Sequence, residues 1–268
     1  MTEALVLPGR MLMVGCGNMG RAMLDRWLAS GLDPAQVTVV SPSGRAMPAG
    51  VEVVGAIPDG GGFDMVVLAL KPQQLGAIRR VDLGSPRLLL SILAGVEVST
   101  LALLCPGAAV VRAMPNLPVR IGRGVTALYS DSTDAGARAT AEALARPLGL
   151  SEWIDDEARF EAVTALAGCG PGFVFRFADA LAAAGAALGL PADQAMRLAL
   201  ATLEGSAIMA AAADATPRML ADRVASPGGS TREGLNILDR DDALVRLMTE
   251  TLAASARRNA EMAAAARA

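Results

Sequence analysis

The stretch MLMVGCGNMGRAMLDRWLAS, Met11 to Ser30, decides the fold. Its first four residues form a short apolar run that reads as a strand, and they feed directly into GCGNMG, Gly15 to Gly20. From Arg21 to Ser30, Met23, Leu24, Trp27 and Leu28 recur at the spacing of an amphipathic helix. Gly15 permits a tight turn, Gly17 lets a pyrophosphate reach the helix N-terminus, and Gly20 lets helix and strand pack closely. A second strand at Gln36–Val40 follows at βαβ distance. The whole unit predicts a dinucleotide-binding turn, with Asn18 and Met19 completing it.

The end of that second strand bears on which dinucleotide. A carboxylate there would bond the ribose hydroxyls of NAD, but the chain reads Ser41-Pro42-Ser43-Gly44-Arg45. Hydroxyls beside a guanidinium suit a 2′-phosphate, so NADP (as NADPH) is expected, with NADH a possible second donor.

Strands and helices continue to alternate. Met65–Leu70 is a buried-type apolar run ending in Lys71-Pro72, and Leu88–Ile92 is another, followed by Ala94-Gly95 and a helix around Val98–Leu104. Ala109–Arg112 leads into Met114-Pro115-Asn116-Leu117-Pro118, a turn stiffened by two prolines. Val125–Tyr129 and Gly149–Ile154 read as strands around a helix at Thr133–Arg146. Strand ends in such a sheet line one ligand-binding edge, so Leu70, Lys71, Pro72, Ala94 and Asn116 join the glycine turn as candidate cofactor contacts.

After Asp155-Asp156 the β-branched runs stop, and helix-forming Ala and Leu dominate. Helices are expected at Arg159–Ala167, Gly172–Leu188, Ala192–Ala213, Arg218–Val224, Thr231–Asp239 and Ala243–Ala266, with breaks at Gly168–Pro171, Gly189–Pro191, Thr216-Pro217 and Ser226–Gly229. The fold class is therefore an α/β Rossmann-type doubly wound sheet over residues 1–156, followed by an all-α helical domain over 157–268. Helices so rich in small residues bury little area each, which predicts a core shared between chains in a homodimer or higher homo-oligomer.

Composition excludes several classes. The 268 residues carry 24 basic and 27 acidic side chains, a net charge of −3, with no basic run, so no nucleic-acid partner is expected. Cys16, Cys105 and Cys169 lack metal-type spacing, so no metal site is expected and a reduced, cytoplasmic setting is. No signal peptide is evident, and Asp179, Asp193 and Arg197 interrupt the apolar runs short of a membrane span. There is no histidine. That removes Ser-His-Asp hydrolases, His-ligated zinc sites and His-dependent carbonyl reductases together.

A second anion-binding turn is predicted at Val224–Leu238, VASPGGSTREGLNIL. Pro227-Gly228-Gly229 punctuates the chain, Ser230 or Thr231 can cap the following helix, and Glu233 stands at the capping-box spacing from Ser230. Free backbone N–H groups at such a junction favour a carboxylate or phosphate.

In order along the chain, GCGNMG, LALKP (Leu68–Pro72), AMPNLPV (Ala113–Val119), ALAGCGPGFVF (Ala165–Phe175) and VASPGGSTREGL (Val224–Leu235) resemble pyrroline-5-carboxylate reductase. That family makes proline by hydride transfer from NAD(P)H to a cyclic imine. The resemblance implies a Rossmann domain followed by a helical dimerisation and substrate domain. It further implies that Thr231 contacts the substrate as the catalytic residue, while Ser226 and the backbone of Gly228, Gly229 and Ser230 hold its carboxylate. Asp214 aligns with an acidic residue the family places nearby. The chain departs from the family pattern at Cys169, where a serine is usual, at Phe173, where a tyrosine is usual, and at Leu117, where a threonine is usual. Imine reduction suits a chain without histidine, because a protonated imine is already electrophilic and positioning outweighs acid–base power. Rival readings are a reductase of another cyclic imine, a β-hydroxyacid dehydrogenase, and a non-catalytic NADP-binding regulatory protein. The second typically relies on a lysine in its helical domain, and no lysine follows Lys71.

Overall fold

The computed structural model of the chain describes residues 4–58 and 61–267. The chain forms two compact units, one running to Cys169 and resuming at Ser255, the other spanning Gly170–Ala254.

The first unit is built on eight strands: β1 (Met11–Val14), β2 (Val37–Val40), β3 (Glu52–Val54), β4 (Met65–Leu68), β5 (Leu88–Ser91), β6 (Ala109–Pro115), β7 (Gly124–Tyr129) and β8 (Gly149–Trp153). They lie in the order β3-β2-β1-β4-β5-β6-β7-β8. The strand order reverses between β1 and β4, which makes the C-terminal ends of these two strands the switch point where ligands bind in such sheets. Every residue of β1, β2, β4, β5 and β6 is buried, as strands covered on both faces must be.

Helices α1 (Asn18–Ala29) and α4 (Ala135–Ala145) cover one face, where Trp27 is fully buried and donates its indole N–H to the Leu144 carbonyl at 2.7 Å. Short helices α2 (Leu75–Ile78) and α3 (Val98–Ala102) contribute Leu75, Ile78, Val98 and Leu101 to the core on the other face.

The structure differs from the sequence expectation at several points. Strand β3 has no counterpart among the expected strands, because it is three residues long, sits at the sheet edge and exposes Glu52 and Val53. Strands β3 to β6 are parallel, but β7 runs antiparallel to β6. The connection from Pro115 to Gly124 is too short for a crossover helix, so the chain turns straight back through a 3₁₀ turn at Leu117–Ile121 and Gly122 at φ +66°. The break expected at Gly168–Pro171 is not a break. Helix α5 (Phe160–Val163) widens into a π turn at Thr164–Gly168, closed by Cys169 N–H on the Thr164 carbonyl at 2.9 Å, and helix α6 (Gly170–Ala187) follows at once. Pro171 is tolerated because it falls in the first turn of α6, where its missing N–H has no helical partner to lose.

The second unit holds α6, α7 (Ala192–Ala212), α8 (Pro217–Arg223), α9 (Ser230–Asp239) and the start of α10 (Ala243–Arg267), whose remainder belongs to the first unit. Its buried residues among those described are all alanines: Ala178, Ala182, Ala195, Ala199 and Ala225. Phe175, Phe177, Ile208, Met209, Ile237 and Leu247 are exposed on the protomer. Contrary to the expectation that charges interrupt every apolar run, α7 is long and apolar enough to cross a membrane by length and composition. Asp193 and Arg197 fall near its start and pair with each other at 2.6 Å, and Glu204 is the one charged residue in the rest of the helix.

Candidate active site

The glycine turn has the geometry that its spacing predicts. Gly15 sits at φ +80°, and a Cβ there would come within 2.9 Å of the Ala69 carbonyl oxygen. Gly20 is packed so tightly that a Cβ would meet Met13 Cε at 2.8 Å and Ala69 Cβ at 3.0 Å, which brings α1 down onto β1 and β4. At Gly17, the residue that caps α1, an added Cβ would meet nothing within 4 Å. The backbone is tight on the protein side and open on the ligand side, as close approach of a pyrophosphate to a helix N-terminus requires.

A cavity of about 800 Å³ opens at this turn. Of the predicted cofactor contacts, Gly15, Gly17, Asn18, Met19, Gly20, Ser41, Ser43, Arg45, Leu70 and Lys71 line it. Ser41 Oγ and Ser43 Oγ lie 3.4 Å apart. Pro72, Ala94 and Asn116 fall outside the lining. Pro72 opens a 3₁₀ turn whose Gln74 accepts the Lys71 N–H at 3.1 Å. Ala94 packs against the cluster of Met114, Ala127 and Phe160. Asn116 is buried with its amide already engaged: Nδ2 donates to the Ala167 carbonyl at 3.0 Å and Oδ1 accepts the Val125 N–H at 2.8 Å.

The cavity also takes in residues the sequence reading passed over, notably Cys16, Ile57, Gln74, Ile78 and Met114. Ile57 follows β3 and was hidden with it. Cys16 and Met114 lay inside recognised motifs, but as variable letters. Burial pushes the Cys16 thiol up to about 11, against a smaller opposing pull from Arg21 and Arg45 and with an added push from Asp25. It lines the cavity as a neutral, poorly nucleophilic group.

In the second unit, Ser226-Pro227-Gly228-Gly229 forms a turn closed by the Gly229 N–H on the Ser226 carbonyl at 2.9 Å. Proline at the second position and Gly228 at φ +70° at the third give the type II signature. A Cβ at Gly229 would meet Ser226 Oγ at 2.7 Å and the Ser226 carbonyl oxygen at 3.1 Å, so the serine side chain would have to turn away to admit it. The cap of α9 is Gly229 and not Ser230 or Thr231, and no side chain bonds the helix end, so the expected capping box with Glu233 does not form. The type II turn hands the chain over in extended geometry one residue early, placing Ser230 and Thr231 inside the first turn of α9. Their N–H groups and that of Arg232 therefore lack carbonyl partners within the helix and remain available to an anion. Arg232 donates to Asp222 at 2.7 Å and ties α9 back to α8. Thr231, Ser226, Gly228 and Ser230 are exposed, as is Asp214 in the bend before α8.

A glycine-lined cavity at the switch point of a doubly wound sheet, with hydroxyls and a guanidinium at the end of β2, defines a dinucleotide-dependent oxidoreductase. Residues 10–95 match the family described as NADP oxidoreductase coenzyme F420-dependent, and residues 157–262 match the one described as pyrroline-5-carboxylate reductase dimerisation. The chain is 34% identical to the pyrroline-5-carboxylate reductase of Pseudomonas aeruginosa over 95% of its own length and 97% of that protein's. It is 35% identical to the pyrroline-5-carboxylate reductase of Aquifex aeolicus over 88% of its length and 91% of that protein's. The solved pyrroline-5-carboxylate reductase of Coxiella burnetii superposes with a TM-score of 0.83 at 29% identity, covering 95% of this chain and 98% of that one. The chain belongs to the pyrroline-5-carboxylate reductase family.

Proposed function

We propose that the chain reduces 1-pyrroline-5-carboxylate to L-proline with NADPH. The observation that carries this reading is the cavity itself, with the whole motif at Gly15–Gly20 and the phosphate-directed trio Ser41, Ser43 and Arg45 on one wall. Near-full-length similarity to proteins named for this reaction supports it.

When bound, NADPH supplies the hydride. The chain's own residues bind and orient. The N-terminus of α1 and the open backbone at Gly17 receive the pyrophosphate, and Ser41, Ser43 and Arg45 receive the 2′-phosphate. Leu70 and Lys71 bound the cavity along its β4 edge. The free N–H groups at the start of α9, that of Ser230 first, hold the substrate carboxylate beside the turn formed by Ser226, Gly228 and Gly229, with Asp214 nearby in sequence on the approach to α8. The Thr231 hydroxyl bonds the ring nitrogen. A protonated imine is already electrophilic, so the chain's residues need only position it, and no acid with a tuned pKa is required. This accounts for a working reductase without histidine.

The helical segment 157–268 acts as the dimerisation and substrate domain, with 1–156 as the cofactor domain, and the protein works in the cytoplasm as a homodimer or higher oligomer. The dimerisation match at 157–262 and the exposed apolar side chains of α6 and α7 support this, and a partner's helices cover those surfaces in place of lipid. The deciding experiment is oxidation of NADPH by the purified protein in the presence of 1-pyrroline-5-carboxylate. Turnover is expected, and its absence with this imine alongside turnover of another cyclic imine would reassign the substrate.

A further inference from the structure

The loop after β2 carries the phosphate-directed groups on a light scaffold. Ser41 anchors its start by donating its N–H to the Val54 carbonyl at 2.9 Å, and Gly44, at φ +62°, closes a turn on the Ser41 carbonyl at 3.0 Å. Beyond that turn Arg45 and Ala46 are exposed. Here the loop is held from outside. Arg21, in the first turn of α1, donates Nη1–H to the Ala46 carbonyl at 3.0 Å. The same guanidinium donates Nε–H to Asp25 Oδ1 at 2.7 Å, one turn further along α1. The chain thus links the pyrophosphate helix to the 2′-phosphate loop through one side chain, immediately after the last glycine of the motif.

We propose that Arg21 is a positioning residue for NADP selectivity: braced by Asp25, it fixes the Ala46 carbonyl and so the backbone that presents Arg45 to the cavity. This rests on the reading that Ser41, Ser43 and Arg45 receive the 2′-phosphate. An unbraced loop has to be ordered when the phosphate binds, and that ordering weakens affinity. NAD, which has no 2′-phosphate, makes no call on Arg45 and is insensitive to the brace. The planar guanidinium fork satisfies Asp25 and Ala46 at once, whereas a lysine ammonium on a flexible stem does not hold both in one geometry.

Calorimetric binding of NADP⁺ and NAD⁺ to single and double variants tests this without relying on turnover. R45A is the reference and is expected to weaken NADP⁺ about tenfold with NAD⁺ unchanged. R21A is expected to weaken NADP⁺ about fivefold, R21K to recover less than half of that loss, and D25N to lose about twofold, all with NAD⁺ within about twofold of the parent. In the R45A background, R21A is expected to add less than about twofold, because the group it positions is gone. If R45A leaves selectivity unchanged, the phosphate-loop reading itself fails. If R45A abolishes selectivity while R21A keeps it, only the positioning role fails. Equal losses for both nucleotides in R21A would make Arg21 a general structural residue. A full R21A effect on top of R45A would show that Arg21 meets the phosphate itself. Each of these last two results overturns the proposal, and retained NAD⁺ binding certifies that the variants are folded.

Discussion

The Asn116 side chain donates to the carbonyl of Ala167 at 3.0 Å, binding the end of β6 to the π turn that precedes Cys169. Its other end accepts the Val125 N–H at 2.8 Å. One buried amide therefore holds together the rigid MPNLP turn, the start of β7 and the wide helical turn at Thr164–Gly168.

Asn116→Ala should destabilise the protein by about 1–3 kcal/mol, because it strands the part-buried Val125 N–H and Ala167 carbonyl together. Urea denaturation measures this. Asn116→Asp keeps the acceptor for Val125 but sets a buried carboxylate oxygen against the Ala167 carbonyl, so it should lower the urea midpoint at least as much as alanine does. A variant with unchanged stability but weakened NADP⁺ binding would return Asn116 to the cofactor.

Thr231→Ala should lower kcat/KM for the imine at least tenfold, about 1.4 kcal/mol of transition-state stabilisation, with NADPH affinity little changed. Since Gly229 caps α9 and no side chain bonds the helix end, the melting temperature should stay put. An earlier melt with normal turnover would mean that the hydroxyl serves the helix only.

Light scattering should give a multiple of the 27.3 kDa chain mass. Ile208 and Met209 are 61% and 68% exposed on the protomer, so Ile208→Glu should shift the protein toward monomer and aggregate if α7 is covered by a partner. A stable, active monomer of the parent chain would contradict the shared core.

Cys105 is fully enclosed beneath α3, and burial pushes its thiol from 9.0 to about 11, with Asp82 adding to the shift. Above pH 9 the unfolded thiol releases its proton while the folded one keeps it, so stability should fall as pH rises from 9 to 11. Urea midpoints across that window should decline for the parent and decline less for Cys105→Ala. An identical slope in both would assign the alkaline loss to other groups.

Cys169 Sγ accepts a hydrogen bond from Ser255 Oγ at 3.2 Å. A serine at 169 can keep that bond, so Cys169→Ser should hold kcat within about threefold of the parent, as replacing one neutral bond by another does. A hundredfold loss would show that the thiol itself matters chemically.

Much of the site was legible in the primary structure because its constraints are local. Gly15, Gly17 and Gly20 each do what their spacing says, since a turn, an open backbone and a close contact are decided within a few residues of chain. Ser41, Ser43 and Arg45 could be placed because they follow directly on a short apolar strand. The roles of Asn116 and Ala94 could not be read this way. An asparagine at a strand end and an alanine in a turn look alike whether they face a ligand or a neighbouring segment. What settles it, Ala167 for Asn116 and the Met114, Ala127 and Phe160 cluster for Ala94, lies elsewhere along the chain.

The sequence by itself determined the βαβ start, the switch to helices near residue 157 and the turn at Ser226–Gly229, all matters of periodicity and of which residues tolerate φ > 0. Only the tertiary structure decided that β7 returns antiparallel, that β3 closes the sheet edge, and that Gly229, ahead of Ser230, caps α9. Only it showed that Arg21 reaches across to Ala46. Strand direction, edge pairing and long side-chain reach depend on which segments meet in space, and that is set by packing the whole chain at once.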